Sequence, residues 1–424
     1  MLKFPARAAQ PEQEEPLTRG RLPRFGVALF DESRQSGWAC LVDMQPFRFR
    51  QPQDLPNDCV WVCSATGTDF RPWAQLAHIR SADYVSKLHY LAHDYGLRVE
   101  GEGKFGQLAQ QACAQLAPTI HRTMVIASQV YGWTDPSTML RGVSLTEDIR
   151  KCLVAPPAPR NFMRGMLQSA YQSYSKPVVH AFNRASGPEI TITMRYNRLE
   201  YAKRLLAQQI PDGHWTCVSD SAGYPLDKAL DPAYPSLVTA TVEFVGKDAE
   251  ISDLCAFGAD ASRGMLRSHI SQPELQWLSK HARIHITSAH VAATGKPLPS
   301  NAQLPELLTS DPLFSLSVPA GLVAEAHWKA IGTPTYNPRA ASGDKREFSS
   351  WAVWLRAHDR AFSFELAMAA HQAGFRVLGY GNGAATVRVE KERLPQLLDF
   401  CMENEIAHPA FRSIFQDHGL CADE

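Results

Sequence analysis

Residues 96–116 read GLRVEGEGKFGQLAQQACAQL and carry the spacing G-x-G-x-x-G at Gly101, Gly103 and Gly106. In a dinucleotide site the first glycine makes a tight turn after a strand. The second lets the backbone approach the pyrophosphate, and the third lets the following helix pack close to the strand. The helix N-terminus then offers unpaired N–H groups to phosphate. A helix-like pattern with Leu108, Ala109 and Ala112 does follow. Against that chemistry, the preceding apolar run Leu97–Val99 is only three residues long, and Glu100 and Glu102 set negative charge where a pyrophosphate would lie. No acidic residue ends the next apolar run, TMVIASQVY, to hold a ribose hydroxyl. The segment is therefore expected to be a glycine-bearing turn, and no cofactor is expected.

Three carboxylates suggest a second chemistry. Asp31 and Asp43 close the two arms of ALFDESRQSGWACLVD, and Asp69 precedes a helix pattern. A metal-dependent nuclease of RNase H-like type needs acidic residues at the ends of adjacent strands to hold two divalent ions. Asp31 is equally an ordinary turn residue and Asp69 an ordinary helix N-cap. Four histidines, His121, His214, His269 and His285, fit H-x-[ST]. Paired motifs of this kind on facing strands would supply a general base and acid, but about two such matches are expected from composition alone. No G-x-S-x-G, H-E-x-x-H or Walker sequence is present.

A regional signal remains. Between Arg160 and Arg204 stand Arg160, Arg164, Lys176, Arg184, Arg195, Arg198, Lys203 and Arg204, against Glu189 and Glu200. This is a surplus of six cations in a chain whose formal net charge is zero. Phe162, Tyr171, Tyr174, Phe182, Tyr196 and Tyr201 are interleaved with them. Basic groups neutralise phosphates while flat rings stack on unpaired bases. Arg195, Tyr196, Arg198, Lys203 and Arg204 fall on or beside one amphipathic helix. Its apolar side, Leu199, Ala202, Leu205 and Leu206, must face the core, so Arg195, Arg198 and Lys203 or Arg204 are expected to share the solvent side.

The elements that would position these residues read as mixed α/β. Residues 1–22 form a polar, flexible arm. A mixed α/β domain over 23–153 opens with strands 25–30 and 37–43 as a hairpin, then strands 47–50 and 59–63. A helix from Asp69 to Gly96, a helix over 106–116 and a strand over 123–131 follow. The prolines of APPAP at 155–159 mark a linker. An α+β domain over 162–331 contains a helix at 162–175, a strand at 190–194, a helix at 198–210 stopped by Pro211-Asp212-Gly213, and strands 237–245 and 282–289. After a loop at 332–347, residues 346–424 read as a small β-α-β-β-α module of ferredoxin-like type, with Asn382-Gly383 as its hairpin turn.

Composition narrows the function classes. Forty-three Lys and Arg balance forty-three Asp and Glu, so no global field recruits polyanions, and local patches must do so. The nine cysteines are scattered without a C-x-x-C, as expected of buried free thiols in a reducing compartment. The N-terminal segment lacks an apolar core of signal-peptide type, and no run approaches a membrane span, so a cytoplasmic protein without membrane association is expected. These readings converge on a single-stranded DNA- or RNA-associated component of a larger bacterial assembly, with other protein subunits as partners and no evident catalytic site. The alternatives are a nucleotide-dependent enzyme through Gly101, Gly103 and Gly106, or a metal nuclease through Asp31, Asp43 and Asp69. A protein-binding scaffold is the third.

Overall fold

The computed structural model describes residues 22–31, 35–64, 71–73, 75–81, 88, 91, 105–136, 161–174, 178–179, 190–219, 223–245, 255, 264–310, 317–336 and 346–406. The chain is a mixed α/β, multi-domain protein. Among the described residues it builds three sheets of four or five strands and one two-stranded ribbon.

The first sheet has the order β3-β2-β1-β4-β5, from β1 (Arg24–Phe30), β2 (Gly37–Leu41), β3 (Phe47–Phe49), β4 (Cys59–Cys63) and β5 (Ile79–Ser81). β1 to β3 form an antiparallel meander, whereas β4 and β5 run parallel to β1. Phe25, Val27 and Leu29 of β1 face a helix, while Ala28 and Phe30 face the opposite cluster around Trp61. Burial on both faces explains why β1 reads as a continuous apolar run.

That helix is α1 (Phe105–Tyr131). It replaces the expected helix 106–116 and strand 123–131 with one continuous element. Ala109, Ala112, Cys113, Leu116, Ala117, Ile120, Met124 and Ala127 are all buried at helical spacing, so tertiary burial overrides the β-branched character of TMVIASQVY. The helix expected from Asp69 is corrected over residues 71–81, while Leu88 and Leu91 are helical. Arg71–Trp73 forms a 3₁₀ turn, and Ile79–Ser81 pairs with β4 as the sheet's edge.

α2 (Asn161–Tyr174), β6 (Val178–Val179), β7 (Ile190–Arg195) and α3 (Arg198–Leu206) follow. β8 (Gln209–Val218), α4 (Leu226–Leu230), β9 (Ser236–Phe244), β10 (Met265–Ser271), α5 (Gln272–Leu278) and β11 (Ala282–Pro297) come next. Their antiparallel sheet has the order β10-β9-β11-β8. Pro211-Asp212-Gly213 lies inside β8 at a register shift against β11 and does not stop α3, which ends at Leu206. α6 (Glu306–Ser310), α7 (Val318–Ile331), β12 (Thr335–Tyr336) and β13 (Arg346–Glu347) lead to α8 (Ser350–Gln372), β14 (Arg376–Gly381), β15 (Ala384–Val389) and α9 (Leu394–Glu403).

The expected β-α-β-β-α order at the C-terminus is corrected at its first strand: residues 350–357 belong to α8. The β14–β15 hairpin also belongs to a sheet of order β6-β14-β15-β7, completed by strands from before residue 200. The C-terminal hairpin and the basic segment therefore share one sheet. No described helix is long and apolar enough to cross a membrane. The seven described cysteines are free thiols, all buried except Cys217.

Candidate nucleic-acid interface

The shared sheet fixes the site. β15 pairs with β7 so that Ala384 lies opposite Arg195, which brings the Asn382-Gly383 turn over the end of β7. Arg195 Nη1 donates to the Asn382 carbonyl at 2.8 Å, and the Tyr196 amide donates to the Gly383 carbonyl at 3.1 Å. Asn382 and Gly383 both have positive φ, 54° and 69°, as a tight primed turn requires. A Cβ on Gly383 would stand 2.8 Å from the Tyr201 ring. The turn is pinned from below by Asp359 of α8. Its carboxylate accepts from the Gly383 amide at 3.1 Å, the Asn382 amide at 3.2 Å and the Tyr201 hydroxyl at 2.7 Å. Burial pushes the Asp359 carboxyl up from its ordinary range, and Arg356, the Tyr201 hydrogen bond and Lys329 only partly offset this.

α3 begins at once after this strand, capped by Asn197, whose Oδ1 accepts from the amides of Leu199 and Glu200. Leu199, Ala202, Leu205 and Leu206 are fully buried, as their spacing predicts. α3 packs on α7 at Gly321, where a Cβ would come within 2.8 Å of the Arg198 Cβ. One turn further along α7, Glu325 Oε2 accepts from Arg198 Nε at 2.7 Å, and Lys329 holds the other oxygen. Burial alone would raise the Glu325 carboxyl. Lys329, Arg198 and Arg195 together hold it well below the usual carboxylate range.

Arg195, Tyr196, Arg198, Tyr201, Glu325, Trp328, Asn382 and Gly383 line a recess of about 10 Å³, roughly the room one water needs. Beside it, Tyr196 stacks on Tyr201, with centroids 5.7 Å apart and planes 7° apart. The Arg204 guanidinium lies 3.7 Å over the Phe362 ring and 6.0 Å from that of Tyr196.

Arg195, Tyr196, Arg198, Lys203 and Arg204 all lie among the described residues, and the expectation of a shared solvent side is corrected at Arg198. The Arg198 side chain is 6% exposed and ion-paired inside the protein, so it does not share the solvent side. Lys203 pairs with Glu200 at 2.7 Å and Arg204 with Glu365 at 2.8 Å. Tyr174 is buried with its hydroxyl on Glu274, and Tyr171 packs on Phe348. Arg160, Lys176, Phe182 and Arg184 lie outside the described residues. Glu325, Trp328, Asp359, Phe362 and Glu365 carried no local signal. Asn382-Gly383 was legible as a turn, though not as a neighbour of Arg195.

Of the three carboxylates, the two described ones, Asp31 and Asp43, lie at opposite ends of the β1–β2 hairpin. Asp31 follows the closed end of the β1–β2 hairpin, where its carboxylate accepts from the Ser36 hydroxyl. Asp43 follows the open end, 3.9 Å from Arg24. At about 3.3 Å per residue the strand between them separates the two by roughly 15–20 Å, far beyond what one metal pair spans. Asp69 lies outside the described residues, among which no group of three or more His, Cys, Asp or Glu could hold a metal. His285 pairs with Thr241, whereas Trp215 pairs with Ala292, so His214 sits roughly 25 Å along β11 from His285.

Gly101 and Gly103 also lie outside the described residues. Gly106 is exposed in the first turn of α1, and a Cβ there would meet only Trp38 Nε1, at 3.8 Å. No close helix–strand approach demands a glycine at this position. Gly106→Ala is accordingly expected to raise stability by a few tenths to about 1 kcal/mol in thermal denaturation. A loss of stability would show that the position serves a close contact.

No family model matches this chain, and no curated protein matches it. Among solved structures it is similar to Phi29 DNA polymerase complexed with primer-template DNA and incoming nucleotide. That match has a TM-score of 0.39 and 12% identity, over 73% of this chain and 61% of the other. The same polymerase complexed with single-stranded DNA gives a TM-score of 0.40 and 11% identity, over 73% and 60%. Its orthorhombic crystal form gives 0.41 and 9%, over 86% and 80%. The chain spans about three fifths of the length of the first two, at 61% and 60%. Likeness this remote assigns no activity.

Proposed function

We propose that this protein binds single-stranded nucleic acid along the surface that runs from the recess to the solvent side of α3, as one component of a larger assembly. The observation that carries the reading is the position of Tyr196. It lines the recess with Arg195, and Arg204, seated on Phe362, lies 6.0 Å from its ring. Two guanidinium groups thus lie close to one aromatic ring, the residue types that hold a strand by phosphate contact and base stacking.

Fluorescence anisotropy of a labelled oligonucleotide of about 20 nucleotides, titrated at 50 to 200 mM salt, tests this directly. Saturable binding is expected, weakening with salt by roughly 0.7 log units per log unit for each phosphate neutralised. Arg195→Ala is expected to weaken binding across sequences and flatten that slope by about 0.7 to 1. An absence of binding at 50 mM salt by folded wild-type protein overturns the proposal.

A second reading, the protein-binding scaffold, has its own observation. Leu266 is 67% exposed and Val245 59%, at the β9–β10 side of the second sheet, where β10 forms the edge. Exposed apolar groups beside a sheet edge suit contact with another polypeptide.

A further inference from the structure

The cations of α3 meet carboxylates of two kinds, and the difference has a functional consequence. Arg198 and Glu325 are 6% and 12% exposed, so separating them would strand a charge inside the protein. Arg204 and Glu365 are 42% and 48% exposed, and pairs in such surroundings contribute only about 0.2–1 kcal/mol. The first pair is fixed, while the second exchanges with solvent ions at little cost.

Glu365 is also placed by the same element that seats its partner. It lies on α8 three residues after Phe362, one helical turn away, and the Phe362 ring carries the Arg204 guanidinium at 3.7 Å. α8 thus provides both the platform that holds the guanidinium flat and the carboxylate that occupies its edge through Nη2 at 2.8 Å. A guanidinium offers five N–H donors in a planar fork that fits phosphate as well as carboxylate.

Building on the nucleic-acid reading above, we propose that Arg204 is a phosphate-contact residue whose site is held in the free protein by Glu365, which a nucleic-acid phosphate displaces. Glu365 acts as an internal competitor. It lowers affinity for any single polyanion contact, and the protein releases strands more readily than its cation content implies. A group with one phosphate gains little from displacing it; a strand that engages Arg195 at the same time gains both contacts.

The test uses the full chain and the same labelled oligonucleotide at 50 mM salt, with wild type, Glu365→Gln, Arg204→Ala and the Arg204→Ala/Glu365→Gln double variant. Glu365 is on the surface, so Glu365→Gln is expected to keep the wild-type melting temperature. The expected result is a Kd about two- to fivefold lower for Glu365→Gln. Its salt slope should be steeper by up to about 0.7, because a free guanidinium now releases its counterion. The gain should vanish in the double variant. If wild type binds and Glu365→Gln binds equally or more weakly, the competitor role is overturned while strand binding stands. If neither binds, the strand-binding reading falls, and the competitor role falls with it.

Discussion

Glu325→Gln is expected to destabilise the protein by about 3–5 kcal/mol in urea denaturation at neutral pH, the range for removing one partner of a buried ion pair. The carboxylate lies between the Arg198 guanidinium and the Lys329 ammonium, with the charge of Arg195 near enough to act on it. Without it, three cations face one another across a poorly solvated space. Lys329 is 36% exposed and swings its ammonium into water. Arg198 has no such route, since α7 closes over it at Gly321. Most of the loss therefore belongs to a stranded Arg198 charge. It follows that Arg198→Met combined with Glu325→Leu restores stability to within about 1 kcal/mol of wild type, because apolar replacements of similar volume need no counter-ion. A loss below about 1 kcal/mol for Glu325→Gln alone would show that the pair behaves as a surface contact.

The pairs around α3 also show where sequence reasoning stops. A charge count over residues 160–204 sees eight cations and two acids. The carboxylates that answer them stand on α7 and α8, with Glu325 127 residues from Arg198 and Glu365 161 residues from Arg204. Local surplus is a statement about a window, whereas electrostatics is settled by neighbours in space. The apolar pattern of α3 was legible because that helix has one buried side and one polar side. α8 is different. Ser350 through Leu355 are all buried, as are most residues to Ala370, so the segment has no polar stripe from which a period of 3.6 could be read. SSWAVWLRA then resembles a strand by its aromatic and β-branched content. The same holds at residues 123–131 of α1, while β7, β9 and the Asn382-Gly383 turn were legible because alternation and turn chemistry are local. The recess required the β7–β15 pairing, which joins segments nearly two hundred residues apart, and no pattern within either strand announces it.

The pH dependence of stability should expose a second buried group, His327 of α7. Its side chain connects the end of α1 to the 3₁₀ turn at Ser300–Ala302: Nδ1 meets the Tyr131 hydroxyl at 2.7 Å, and Nε2 meets the Ala302 carbonyl at 2.8 Å. A carbonyl only accepts, so Nε2 carries the hydrogen and Nδ1 accepts from the tyrosine, which assigns a neutral ring. The residue is 1% exposed, and burial, opposed by the Ala302 bond, pushes its imidazole down to about 4. An unfolded chain holds the same ring near 6.5. Above pH 6.5 the ring is neutral in both states and contributes no pH dependence. Between 6.5 and 4 the unfolded state takes up a proton that the folded state refuses, so stability falls with pH, by about 3 kcal/mol in all. Below 4 the folded ring also protonates and the loss levels off. Urea denaturation at pH 7.5 and 4.5 measures the difference, with carboxylates contributing to it in any variant. His327→Gln retains a donor for Ala302 and an acceptor for Tyr131 but does not titrate, so its change in stability between the two pH values is expected to be smaller than that of wild type by most of those 3 kcal/mol. An equal change in both proteins would mean that the ring takes up its proton as readily in the folded as in the unfolded state, and that the contact between α1 and α7 does not depend on its neutrality.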